Sequence, residues 1–230
     1  MKTPLADHAI GDPIVVDFEG RTDQAPILLG VRWPDGTVEQ FVLAPDLEAA
    51  ATAKDLRVCP IEDGVAVLVD RAELEGRPIS GWSGHEIEVV DRYCSAALAR
   101  RFRALYVDAK TAAKVARRRL RLELPAPRGR ERRHALGRYL RLIGFDVPFP
   151  FGTGWTGETI RVLDSALGRH GAWAPLTPHQ KRRWSFLLSH NRADLDGTAA
   201  VLRWSSAALD TAGLGTKPKY PASAPSAGGH

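Results

Sequence analysis

Three short apolar runs fill the first part of the chain, at residues 14–18, 27–33 and 38–44. The first ends at Glu19-Gly20, and the last two flank Pro34-Asp35-Gly36-Thr37. In that turn sequence Pro presets φ and Gly accepts a positive one. A meander of three strands is therefore predicted.

After the meander the pattern changes to helices and short extended pieces. Residues 46–55 are alanine-rich and read as helical. Residues 62–74 read as a helix, although Val65, Val67 and Val69 also alternate as in a strand. Residues 78–82 read as extended. Residues 84–100 read as one helix, with Ile87, Val90, Tyr93, Cys94 and Ala97 at helical spacing. A short strand is expected at 104–107. Asp108 is placed to cap the next helix, which runs through Arg117-Arg118-Arg119 and ends near Pro125. Residues 125–131 read as a loop. Leu136, Leu140 and Ile143 mark a helix stopped by Gly144. Residues 148–157 read as a loop and 158–167 as a helix. Thr177 and Gln180 form a capping box for a long final helix reaching toward Leu209. The Gly, Ser, Pro and Ala-rich tail, residues 213–230, reads as disordered. This order implies an α/β domain on a mixed sheet, three antiparallel strands plus short parallel ones, flanked by helices and spanning residues 1–212.

A chain of 230 residues fits one such domain. Its 44% hydrophobic and 26% charged content is ordinary for a soluble globular protein and excludes collagen, a coiled coil or a wholly disordered chain. Two cysteines, Cys59 and Cys94, are too few for a disulfide framework or a cysteine-rich zinc site. No apolar run approaches the ~18 residues needed to span a bilayer, and the N-terminus has no signal-like apolar core. A soluble, cytoplasmic protein with no membrane partner is expected.

The net charge of +5 conceals a division along the chain. Residues 1–98 hold 8 basic and 18 acidic residues (−10), residues 99–142 hold 15 and 3 (+12), and residues 143–230 hold 9 and 6 (+3). The positive charge is thus concentrated where phosphate contacts can use it.

Three motifs carry candidate chemistry. In VVDFEG, residues 15–20, Asp17 and Glu19 are two apart and share one face of a strand. Paired carboxylates repel unless a divalent cation joins them, and oxygen ligands suit magnesium or manganese. The alternative is a polar, exposed strand end. In HNRADLDGT, residues 190–198, His190 and Asp194 stack four apart on one helical face while Asp196 points elsewhere. Asn191, Asp194, Asp196 and Gly197 give up helix propensity there, as functional sites often do. The alternative is a solvated surface pair. In GWSGHEIEVV, residues 81–90, Glu86 lies at a helix start, either as a site acid or as a partner for the helix dipole. His85 fits either role, and Glu88 and Asp91 read as solvent-facing.

Together DFEG, GWSGHE, HALGRYLRLIGFDVP and HNRAD resemble, in order and spacing, the ribonuclease H-like superfamily, and within it the predicted 3′–5′ exonuclease branch with four metal-binding acids. The resemblance spans roughly residues 13–205. It implies a ribonuclease H-like sheet and a two-metal phosphodiester hydrolase acting on DNA or RNA. It also implies two Mg2+ or Mn2+ ions held by Asp17, Glu19, Glu86 and Asp194. Asp17 would bridge both ions, Glu19 and Glu86 would hold the one beside the water, and Asp194 would complete the set. His190 would act as general base, since an imidazole exchanges protons near neutral pH. Here the chain departs from the family: one subclass has His five residues before the last acid and the other has Tyr four before it. Asp108 matches a structural acid.

Arginine suits bidentate phosphate contacts. Arg117, Arg118, Arg119, Arg121, Arg128, Arg130, Arg132 and Arg133 are the candidate nucleic-acid contacts, against the plainer reading of a solvated face. Trp155 is a candidate base-stacking residue or a loop anchor. A catalytically silent nucleic-acid-binding domain of the same fold is the alternative function.

Overall fold

The computed structural model describes residues 12–21, 24–129, 131–146 and 155–210. Strands β1 (Ile14–Glu19), β2 (Leu28–Arg32) and β3 (Val38–Val42) form the predicted antiparallel meander. Gly36 takes a φ of 90° in the β2–β3 turn, and Asp35 accepts hydrogen bonds from the Thr37 amide and hydroxyl. Beyond the meander lie β4 (Arg57–Val58), β5 (Ile79–Gly81) and β6 (Tyr106–Asp108). The sheet order is β4-β3-β2-β1-β5-β6, with β5 parallel to β1, β6 parallel to β5, and β4 parallel to β3. Strand β4 is only two residues long, too short to leave a sequence signal.

A 3-10 turn, Pro45–Leu47, leads into α1 (Glu48–Thr52). Helix α2 (Ile61–Glu75) stops at Gly76, whose φ is 62°. The helix expected at 84–100 is two helices, α3 (His85–Tyr93) and α4 (Ala96–Leu105). Cys94 is extended, the Ser95 hydroxyl caps α4 by accepting from Leu98 N, and Glu62 accepts from Ser95 N at 2.9 Å. The strand predicted at 104–107 accordingly begins at Tyr106. Asp108 caps α5 (Ala109–Arg119), its Oδ1 accepting from Thr111 N at 2.9 Å. This helix ends before Pro125, at a turn in which Arg121 has a φ of 53°.

Helix α6 (Leu136–Leu142) is followed by Gly144 at φ 68°. Helix α7 (Trp155–His170) starts inside the predicted 148–157 loop, whose earlier part lies outside the described residues, as does the tail at 213–230. Helix α8 (Pro178–Leu209) opens on the predicted capping box: Thr177 Oγ1 accepts from Gln180 N, and Gln180 Oε1 accepts from Thr177 N at 2.8 Å.

Strand alternation sorts the core into two layers. Ile14, Val16 and Phe18, with Leu29, Val31 and Phe41, pack under α2, α3 and α4. Val15 points the other way, onto Leu195, Ala199 and Leu202 of α8 and Ala109 of α5. Trp184 of α8 is fully buried, and its indole donates to Ala50 O at 3.1 Å. The helix therefore crosses the sheet on the face that Val15, Asp17 and Glu19 share. Gly197, an apparent weakness in α8, lies against α6: a Cβ there would come within 2.9 Å of a Leu140 methyl. Among the described residues no helix is long and apolar enough to cross a membrane.

Candidate metal centre

Residue alternation in β1 aims Asp17 and Glu19 at α8, and α8 returns His190, Asn191 and Asp194 from successive turns. Glu19, His190 and Asp194 offer ligand atoms within 4.8 Å of one another. His190 Nε2 lies 3.8 Å from Glu19 Oε1 and 3.6 Å from Asp194 Oδ2. The exposed-strand-end alternative fails for Glu19, which is 7% exposed. Asp17 faces Gly30 across the β1–β2 ladder and takes a 2.8 Å hydrogen bond on Oδ2 from Asn191 Nδ2.

Glu86 arrives from the other side. Strand β5 lies parallel to β1, with Val15 beside Ser80, and α3 starts just past its end. The Glu86 carboxylate turns inward, 3% exposed, and accepts from the Tyr106 hydroxyl at 2.8 Å; the same hydroxyl contacts Ser83 O. Amides of Ser83 and Glu86 itself also favour its charged form, so the acid meets the helix start, and its charge is the smallest of the three that raise Asp17. Gly81 leaves the space for this arrangement, because a Cβ would sit 2.6 Å from both Glu86 Cδ and Tyr106 Oη.

The electrostatics are those of a crowded set of acids. Burial first, then the charges of Glu19, Asp194 and Glu86, hold Asp17 well above the usual carboxylate range, and the Asn191 amide opposes the rise. Burial pushes Glu19 up to about 7; the His190 imidazole works against this and Asp194 adds to it. Burial likewise pushes Glu86 to about 7. Asp194 is raised by burial and drawn down by His190. Such a set is compensated poorly by protein cations, and hard divalent ions binding through oxygen fit it. Glu19, His190 and Asp194 are the residues whose ligand atoms come close enough together to hold one ion, and the Asp17 and Glu86 carboxylates add negative charge beside them.

The remaining motif residues divide. Asp196 leaves the cluster, as its spacing predicts, and pairs with Arg32 at 2.9 Å. His85 is exposed, 3.9 Å from Glu88, and takes no part. Glu88 is exposed and Asp91 pairs outward with Arg103. In the basic segment Arg118, Arg119, Arg121, Arg128, Arg132 and Arg133 are exposed. Arg117 is half-buried and donates to Leu122 O at 2.9 Å. Arg130 and the Trp155 side chain lie outside the described residues.

Arg138 and Arg141 of the same segment are structural. Arg138 is buried and donates to Pro125 O and Arg133 O, and Arg141 is bidentate on Glu131. Burial and then Lys114, Arg133, Arg117 and Arg138 hold the His134 imidazole below its usual range, a sign of the positive field on this side.

Three participants carry no site signal in the sequence: Tyr106 sits on a short strand, Gln40 on the meander, and Thr156 on a helix start where it hydrogen-bonds Glu19, while Asn191 lies in the HNRAD motif with no role assigned to it. No family model, curated protein or solved structure matches the chain.

Proposed function

We propose that this chain is a metal-dependent nuclease of ribonuclease H-like fold, a 3′–5′ exonuclease that hydrolyses phosphodiester bonds in DNA or RNA. The observation that carries this reading is the Glu19, His190 and Asp194 group, whose ligand atoms lie within 4.8 Å of one another, with the Asp17 carboxyl held well above its usual range by burial and by the charges of Glu19, Asp194 and Glu86. The sheet supports it: a β1–β2–β3 meander with β5 and β6 parallel beyond β1 is what the resemblance implies.

Asp17, Glu19, Glu86 and Asp194 would hold two Mg2+ or Mn2+ ions. Such ions supply Lewis-acid stabilisation of an in-line displacement at phosphorus. His190, within 4 Å of Glu19 and Asp194, would take a proton from the attacking water. The exposed arginines at the end of α5 and beyond it would hold backbone phosphates. The purified protein should shorten a labelled single strand with Mg2+ or Mn2+ and stop on addition of EDTA. Activity that survives the Asp17→Ala/Asp194→Ala double substitution refutes the site. Salt-dependent oligonucleotide binding with no cleavage in either metal supports the catalytically silent domain instead.

A further inference from the structure

The amide of Asn191 is fully buried, and both its NH2 and its oxygen are hydrogen-bonded. Its Nδ2 donates to Asp17 Oδ2 at 2.8 Å and to Asp17 O at 3.2 Å. Its Oδ1 accepts from Gln40 Nε2 at 2.8 Å, and Gln40 Nε2 also donates to Leu188 O at 2.9 Å. These contacts give the chain of amides a direction. Two acceptors face Gln40 Nε2, so turning that amide over would set its oxygen against two others. With Gln40 fixed, Asn191 must present its NH2 to Asp17. Gly30, opposite Asp17 on β2, makes the approach possible: a Cβ would sit 2.7 Å from Asn191 Cγ and closer still to Oδ1. Successive turns of α8 thus bring Asn191 to the strand and His190 and Asp194 to Glu19.

We propose that Asn191, held in one orientation by Gln40, is a positioning residue that fixes the Asp17 carboxylate with Oδ2 engaged and the other oxygen left for a divalent cation. This rests on the reading of the acid cluster as a metal site. Partners of metal ligands change affinity by roughly 10–100-fold when removed, because the ligand is then no longer held for the ion. A residue that merely docks α8 on the sheet would change stability and leave affinity alone.

The test uses the full chain and Mn2+ titrated by calorimetry, with thermal melts in EDTA as the separate readout of folding. Asn191→Leu keeps the side-chain shape and removes the donor. Gln40→Met leaves the two Asn191–Asp17 hydrogen bonds their atoms, removes the donor that orients Asn191 together with its bond to Leu188 O, and serves if the first variant does not fold. We expect Gln40→Met to fold but melt below the parent, because Asn191 Oδ1 is left unpaired, while Mn2+ affinity falls about tenfold and kcat falls with it more than KM changes. If Gln40→Met folds and binds Mn2+ within about threefold of the parent, below the range expected for such partners, the positioning role is refuted and the metal site stands. If the parent itself binds no Mn2+, both are refuted.

Discussion

Glu19→Gln separates a carboxylate that stabilises the fold from one that the fold tolerates for the sake of a ligand. Burial carries the Glu19 carboxyl from the usual 4.5 to about 7. At ~1.4 kcal/mol per tenfold change, the charged form is about 3 kcal/mol less favourable in the folded protein than in the unfolded chain. The folded state holds the proton more tightly, so the penalty is absent below about pH 4.5, grows between 4.5 and 7, and is complete above 7.

Gln keeps the shape and can still bond the Thr156 hydroxyl. In EDTA, urea melts followed by tryptophan fluorescence should therefore show Glu19→Gln more stable than the parent by up to about 3 kcal/mol at pH 8 and nearly equal to it at pH 4.5. Relief of the repulsion felt by Asp17 adds to the gain at pH 8. Excess Mn2+ should reverse the order, since the parent then gains binding energy that the variant no longer has. A Glu19→Gln protein less stable than the parent at pH 8 in EDTA would show that Glu19 is a structural acid and refute this reasoning.

Gly81→Ala should cost about 1–3 kcal/mol in urea melts and suppress cleavage, because the new methyl displaces Glu86 or Tyr106, each 2.6 Å from it. Trp184→Ala removes a fully buried ring and the donor to Ala50 O, so calorimetric melting should register a loss of about 3–5 kcal/mol. The Arg118→Ala/Arg119→Ala pair, exposed at the end of α5, should leave stability within about 0.5 kcal/mol. It should also lower the salt dependence of single-strand binding by about 0.7 in log–log slope for each phosphate that is no longer neutralised. An unchanged slope by fluorescence anisotropy would remove these arginines from the nucleic-acid interface.

The sequence carries the sheet well where its signals are local. The meander, the Gly36 turn, the Asp108 cap and the Thr177–Gln180 box follow from residue types a few positions apart, and the structure has all of them. It misses what depends on partners far along the chain. Ser95 divides a continuous helical pattern because its backbone is captured by Glu62, 33 residues earlier. Strand β4 exists because β3 offers an edge to Arg57 and Val58.

The site follows the same rule. Spacing places Asp17 with Glu19 and His190 with Asp194, since strand and helix periods are local properties. The meeting of the two pairs is a tertiary event. Gln40, Tyr106 and Asn191 are legible only after α8 is laid across β1 and α3 is set beside β6. Gly30 and Gly81 read as unremarkable strand residues until the side chains that occupy their missing Cβ positions are known.

Whether the acids of β1, α3 and α8 are gathered to hold divalent cations is decided by a crystal soaked in Mn2+ and measured at the manganese absorption edge. Two anomalous peaks about 4 Å apart, touching Asp17, Glu19, Glu86 and Asp194, are the predicted result. An ordered cluster with no peak among those four carboxylates, at a manganese concentration that labels other sites on the protein, would contradict it.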